Sequence, residues 1–160
     1  MAYKATNNIV IENARLIFKN FAGEGSKFNR PGNRNFCVIL DPEVAQDLIE
    51  DGWNVRQLRP RDDEEEGAYY LQVAVSFANI APKVFMINGK TKTQIYEDTI
   101  DTLDYAEIAN VDLIIRPYNW EVNGKTGVKA YLKTMYVELE QDMFADKYNF
   151  DCLDDGDLPF

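Results

Sequence analysis

The sequence predicts an all-β domain with short helical insertions, and three observations carry that prediction. Apolar and polar residues alternate with a period of two over most of the chain, which is typical of half-buried strands. Asn-Gly pairs at 88–89 and 123–124 stand between such segments and favour the tight turns of β-hairpins. The 160 residues are 46% hydrophobic and 12% aromatic, which is enough for one domain with a substantial core.

The predicted elements follow in chain order. A long strand is expected over residues 9–21, with Leu16 and Phe18 pointing inward, and a short buried strand over 36–40. A helix begins after the N-cap Asp41, with Pro42 in its first turn, and ends at Gly52. Further strands are predicted over 53–59, 68–77, 83–87, 90–95, 111–122 and 125–139, and a second short helix over 99–107.

The hairpin over 111–139 is the most informative segment. A two-residue turn at Asn123 and Gly124 pairs Tyr118 with Lys129, and a longer turn would leave each residue on the same face. One face is apolar and forms part of the core: Val111, Leu113, Ile115, Val128, Ala130 and Leu132. The other face consists of rings and cations: Arg116, Tyr118, Trp120, Lys129, Tyr131 and Lys133.

Rings that alternate with cations on an exposed sheet suit an unpaired nucleic-acid strand. Bases stack on the rings, at about 1–3 kcal/mol each, and the cations pair with phosphates. The alternative is an ordinary outer face on which Lys and Arg stems cover Tyr and Trp. Six such side chains on one face favour nucleic-acid binding.

Three other segments add candidate binding residues of the same two kinds. The first strand contributes Arg15, Lys19 and Phe21, and the hairpin 83–95 contributes Lys83, Phe85, Lys90 and Lys92. The Gly-rich loop 23–34 contributes Lys27, Phe28, Arg30 and Arg34. This loop lacks the Gly-Lys-Ser/Thr ending of a P-loop, so nucleoside triphosphate binding is not expected. We interpret it either as a flap that closes over a bound strand or as a plain surface loop.

The net charge of −10 argues against a nucleic-acid partner until the charges are located. Residues 141–160 hold six acids and residues 62–66 five more, and outside these segments 16 acids face 16 bases. An acidic tail on such a body could compete with phosphate for the basic surface, which would make binding strongly salt-dependent. The charge leaves open a second class of function, an acidic interaction module that mimics DNA and inhibits a nucleic-acid enzyme.

Composition also excludes several classes of site. The absence of histidine removes Ser-His-Asp and Cys-His catalysis and most transition-metal sites, so we predict no enzyme, no cofactor and no metal. Cys37 and Cys152 are too far apart in sequence to suggest a zinc motif and are interpreted as reduced thiols. The acidic run 62–66 is interpreted as a solvated loop. No apolar run is long enough to span a membrane and no secretory signal is recognised, which predicts a cytoplasmic protein.

The chain ends in an acidic segment followed by Leu158, Pro159 and a terminal Phe160. This ending resembles the acidic tip of bacterial and phage single-stranded DNA-binding proteins, although Gly156 interrupts the usual run of aspartates. The resemblance implies that a set of tail residues binds partner proteins: Asp154, Asp155, Asp157, Leu158, Pro159 and Phe160.

The whole chain is similar to a phage-type single-stranded DNA-binding protein with an OB fold, here a five-stranded barrel with extra hairpins. A helix after the second predicted strand departs from that fold and leaves the strand order open. The resemblance implies a domain over 1–141 that binds single-stranded DNA regardless of sequence, and a tail over 142–160 that recruits replication or recombination proteins in the host cytoplasm. RNA binding and a homodimer remain open.

Overall fold

The computed structural model describes residues 7–27, 29–60, 67–78 and 80–140. Its strands and α-helix, in chain order, are β1 Ile9–Ile11, β2 Leu16–Asn20, β3 Arg34–Leu40, α1 Pro42–Glu50, β4 Val55–Gln57, β5 Tyr69–Val75, β6 Lys83–Asn88, β7 Thr91–Ile95, β8 Ile108–Val122 and β9 Lys125–Leu139. A 3-10 helix, Ile100–Asp104, precedes β8. The predicted all-β fold with short helical insertions is confirmed. Within these ranges no helix has the length and apolar character needed to cross a membrane.

The strands join in one mixed sheet whose main path is β1-β8-β9-β5-β3-β2. Strand β4 pairs with β5, and β6 pairs with both β7 and β9. Strand β9 therefore lies beside β8 along one edge, and beside β5 and then β6, both parallel to it, along the other. The sheet is curled. Between β1 and β2, the backbone N–H of Ala14 donates a 2.7 Å hydrogen bond to the carbonyl of Val111 in β8. The result is a curled, open sheet with more strands than the five of the predicted barrel.

The core lies inside this curl and follows the predicted alternation of the β8–β9 hairpin. The core-facing residues predicted on both strands are buried: Val111, Leu113, Ile115, Val128, Ala130 and Leu132. Leu48 of α1 and Leu103 of the 3-10 helix join the same cluster from the connecting segments. Because the inner face is apolar throughout, polar and charged side chains are left to the outer face of the sheet.

The turns and the helix follow the sequence signals, with two differences of detail. Asn123 and Gly124 both have positive φ (52° and 78°), and Val122 pairs with Lys125 as predicted for a two-residue turn. In the other hairpin Asn88 pairs with Thr91, so the turn is Gly89-Lys90 and Lys90 lies in the turn instead of on the strand face. Helix α1 starts after Asp41, but the Asp41 side chain makes no capping hydrogen bond with any described residue.

The first predicted strand needs a correction. It is broken after β1, near Asn13 at φ 53°, and β2 contains a β-bulge between Ile17 and Asn20. The extra residue of a bulge reverses which side chains face inward. Phe18 is therefore 62% exposed and Phe21 is fully buried, stacked on Phe36 at 5.2 Å between ring centroids. The inward orientation predicted for Phe18 and the binding role predicted for Phe21 were both wrong.

Candidate nucleic-acid interface

A groove of about 1090 Å³ crosses the outer side of the sheet between the loop 23–34 and the β8–β9 hairpin. Gln72 and Ala74 of β5 contribute to its floor and Phe77 to its wall. Five of the predicted binding residues line it: Arg30, Arg34, Trp120, Lys129 and Tyr131. The structure thus brings together, in one concave surface, cations and rings that the sequence placed in two separate segments.

The hairpin carries a compact set of rings and cations, which we call the hairpin cluster: Arg116, Tyr118, Trp120, Lys129 and Tyr131. Of these, Trp120, Lys129 and Tyr131 line the groove. Arg116 lies opposite Tyr131 and Tyr118 opposite Lys129, as predicted. The Arg116 guanidinium lies 4.7 Å from the Tyr131 ring centroid, and the Lys129 Nζ lies 5.1 Å from it. The Tyr118 and Tyr131 rings meet edge to face at 5.9 Å and 88°.

This geometry leaves ring surface available to a ligand. Tyr118 is 53% exposed and Trp120 is 37% exposed. Because an edge-to-face contact covers only part of each ring, a planar base could still stack on the hairpin cluster. The nearby cations can balance phosphate charge at the same place.

Trp120 owes its position to a glycine that the sequence analysis missed. Gly127 lies directly opposite Trp120 in the β8–β9 ladder. A Cβ atom at position 127 would lie 2.6 Å from Cζ2 of the indole, which is too close for two non-bonded carbon atoms. Glycine at 127 therefore lets the indole lie against the β9 backbone. A glycine inside a strand pattern is the signal that could have indicated this close approach.

The loop 23–34 forms the opposite wall and is held by its own hydrogen bonds. Gly32 N–H donates to the Gly23 carbonyl at 2.8 Å. The Asn29 side-chain amide donates to the Glu24 carbonyl at 2.8 Å, and its oxygen accepts from the Asn35 amide at 3.0 Å. These bonds favour a loop that keeps its shape and holds the nearby arginines at the groove. Lys27 does not line the groove, and Phe28 lies outside the described residues.

Two arginines beside the groove carry donors that the described residues do not satisfy. Arg34 donates from Nη2 to the Glu97 carbonyl at 3.3 Å, but its buried Nε finds no acceptor in the described part of the chain. The same holds for the buried Nε of Arg116. An unsatisfied buried donor costs free energy. Because protein atoms cover both Nε atoms, the terminal nitrogens of the two guanidinium groups are the candidates to meet a phosphate.

Three of the predicted residues lie on β6 and β7, beside the second half of β9. Phe85 stacks on Tyr136 at 5.1 Å with an interplanar angle of 17°, and the Lys92 Nζ lies 4.6 Å from the Phe85 centroid and 5.7 Å from that of Tyr136. We call Phe85, Lys92 and Tyr136 the β6–β9 cluster; it does not line the groove. Lys83 lies near it, opposite Thr134.

Tyr136 was missed because of a second β-bulge. Ile115 pairs with Leu132 but Ile114 pairs with Thr134, so Lys133 is an extra residue in β9. Lys133 is exposed as predicted, and beyond it the outward positions shift by one, which brings Tyr136 to the outer face.

Two predicted residues of the first strand, Arg15 and Lys19, do not line the groove. Arg15 and Lys19 line a separate hollow of about 400 Å³ between β2 and β8, and Lys19 donates to the Leu103 carbonyl at 3.0 Å. That bond ties Lys19 to the 3-10 helix. The tail residues predicted to bind partners, and the acidic run 62–66, lie outside the described residues.

Two further observations concern metal binding and the reactivity of the Cys37 thiol. In the ranges that the structure covers, no group of three or more Asp, Glu, Cys or His side chains could hold a metal ion. Cys37 is buried, and burial raises the pKa of its thiol to about 11 although the charge of Arg56 opposes the shift. At neutral pH its reactive thiolate form is therefore scarce.

Comparison with known proteins places this geometry in context. Residues 1–157 match the model of a family described as "Putative phage ssDNA-binding domain". The fold resembles that of the single-stranded DNA-binding protein from bacteriophage Enc34 in complex with ssDNA, at 13% identity and a TM-score of 0.55, over 84% of this chain and 88% of that one. Another structure of the Enc34 protein matches at 14% identity and a TM-score of 0.53, over 94% and 90%. No curated protein sequence gives a significant match.

Proposed function

This chain belongs to the phage ssDNA-binding domain family, and from that premise we propose that its groove holds the single strand. The observation that supports the proposal is the convergence of Arg30, Arg34 and Lys129 with the predicted rings Trp120 and Tyr131 in one concave surface. The cations Arg30, Arg34 and Lys129 would meet phosphates, while Trp120 and Tyr131 would stack on bases.

Binding of this kind would depend little on base identity. Every base has a flat ring face, and every nucleotide has the same phosphate. A duplex hides the ring faces, so the groove should prefer single strands. We propose that the protein coats exposed DNA during replication or recombination in the host cytoplasm, and that it binds the strand without catalysing a reaction on it.

The test is a titration of fluorescently labelled oligothymidine followed by anisotropy at several salt concentrations. We expect saturable binding that duplex DNA competes poorly for. If each of the three groove cations neutralises one phosphate, the slope of log affinity against log salt should be about −2. Unlabelled RNA in the same assay shows whether the sugar matters. No binding even at low salt would refute the proposal and favour an acidic mimic of DNA.

We further propose that the C-terminal tail recruits partner proteins. The support is compositional: aspartates can steer an approach to a basic surface, and Leu158 and Phe160 add apolar side chains that a pocket could bind. Deleting residues 151–160 should leave DNA affinity equal or higher, because a competing acidic segment is removed, and should abolish pull-down of partners from phage-infected cells. A truncated protein that binds DNA more weakly would contradict this role. Light scattering of the full chain tests whether it forms a homodimer.

A further inference from the structure

Phe18 is an exposed ring held in an unusual backbone conformation. Its φ is 51°, in the left-handed region that residues other than glycine rarely adopt. Its side chain is 62% exposed. The bulge in β2 turns the ring out of the core, where the strand pattern would place it. Strained backbone of this kind is often found at functional sites, so the side chains next to Phe18 are candidates for a binding site.

The ring of Phe18 meets a second ring and a cation on the outer face of the sheet. Phe18 contacts Tyr70 of β5 edge to face, at 6.0 Å and 75°. Tyr70 lies opposite Arg56 of β4. Arg56 is exposed, and its pairing with Tyr70 puts the two side chains on the same face of the sheet. Two rings in edge contact beside an arginine are also the main parts of the hairpin cluster.

Strand β5 connects this set to the groove. Tyr70, Gln72 and Ala74 alternate along the outer side of β5, and Gln72 and Ala74 already belong to the groove lining. Ala74 lies opposite Tyr131 of β9. At about 3.3 Å per residue, Tyr70 lies roughly 13 Å from Ala74 along the strand. The outer face of β5 therefore runs from the lining of the groove, at Ala74 and Gln72, to Tyr70 and its neighbour Phe18.

We propose that Phe18, Tyr70 and Arg56 form a second contact for the single strand, beyond Gln72 on the outer face of β5. This rests on the proposed function and extends it. A base would stack on the open face of Phe18, and a phosphate would pair with Arg56. The strand would then cross β5 between two stacking sites, within the 4–16 nucleotides that an OB fold commonly covers. Short oligonucleotides can occupy one contact at a time, whereas longer ones can occupy both.

The test uses a length series of labelled oligothymidine from about 4 to 16 nucleotides. The variant Phe18→Leu removes the ring but keeps an apolar side chain that is not branched at Cβ, as the strained φ requires. We expect it to weaken binding of the longest oligonucleotides about 5- to 100-fold, as the loss of one stacked base predicts, with a much smaller effect on the shortest that bind. Arg56→Gln should reduce the salt slope for long oligonucleotides only. Tyr105→Leu, a change at a ring 80% exposed after the 3-10 helix, is the matched control and should bind like the wild type.

Two outcomes separate this inference from the function on which it rests. If Phe18→Leu binds every length like the wild type while Trp120→Ala binds weakly, the second contact does not exist and the groove remains. If the wild type binds no length, the proposed function fails first. Should Phe18→Leu unfold, Phe18→Trp in a Trp120→Phe background keeps a stacking ring at position 18. The emission of Trp53 is measured separately in the Trp120→Phe protein and subtracted. The remaining emission, from position 18, should be quenched by long oligonucleotides, and unchanged emission would overturn the proposal.

Discussion

Two aromatic clusters lie on strand β9, and they differ in what they leave for a ligand. In the hairpin cluster Tyr118 and Tyr131 meet edge to face, and Trp120 beside them is 37% exposed. In the β6–β9 cluster Phe85 and Tyr136 are stacked nearly parallel, with Lys92 over both rings. Cations lie over rings in both clusters, on Tyr131 in the first and on Phe85 and Tyr136 in the second. The difference is that the second cluster uses two ring faces to stack on each other, whereas in the first a base could still stack on Tyr118 or Trp120.

The neighbours of the two clusters differ as well. The first half of β9 runs beside β5, which brings the hairpin cluster to the groove and to Arg30 and Arg34. The second half runs beside β6. Similar residue types thus lie in different surroundings. We expect only the hairpin cluster to bind the strand, because a concave surface with converging cations suits a strand better than composition alone.

The largest expected effect tests this difference directly. Trp120→Ala should weaken single-strand binding by about 1–3 kcal/mol, or roughly 5- to 150-fold, because one stacking ring is lost. Tyr136→Ala is the matched control, since Tyr136 is 38% exposed and Trp120 37%. It should bind within about twofold of the wild type. Anisotropy with labelled oligothymidine measures both, and circular dichroism confirms folding. Equal losses would place the β6–β9 cluster in the binding site.

A smaller effect separates the cations of the two regions. Arg34→Gln should lower affinity and make the salt slope shallower by about 0.7, because one phosphate contact is lost on a single strand. Lys92→Gln should leave the slope unchanged, since Lys92 lies over the β6–β9 rings. The measurement is the dissociation constant at four or more salt concentrations. An unchanged slope for Arg34→Gln would remove that arginine from the phosphate path.

The smallest effect concerns folding without DNA. The stacked pair in the β6–β9 cluster should stabilise the protein by about 0.5–1.5 kcal/mol beyond the area it buries. A double-mutant cycle of Phe85→Leu and Tyr136→Leu, followed by urea denaturation, measures this coupling. Phe85→Leu with Tyr118→Leu is the control, because each ring has a different aromatic partner. Zero coupling for the first pair would mean that its stacking contributes nothing to stability.

Sequence patterns were most reliable where the structure is local. The register of the β8–β9 hairpin follows from Asn123-Gly124 and from strict alternation on both sides, and the structure reproduces it from Arg116 to the turn. Sequence patterns gave the wrong side-chain orientation at the bulge in β2 and missed the change of orientation at the bulge in β9. Leu16, Ile17 and Phe18 are all apolar, so their order could not show which ring faces outward. Beyond Lys133 the pattern shifted by one residue, and Tyr136 escaped notice.

The sequence by itself determined that one side of the β8–β9 hairpin is core and the other a surface of rings and cations, because strand period and turn chemistry act over a few residues. Only the tertiary structure decided that Arg30 and Arg34 meet Trp120 and Tyr131 across a groove, and that Phe85 does not. That choice depends on the pairing of β9 with β5 and β6, and partners distant in sequence are selected by packing of the whole core.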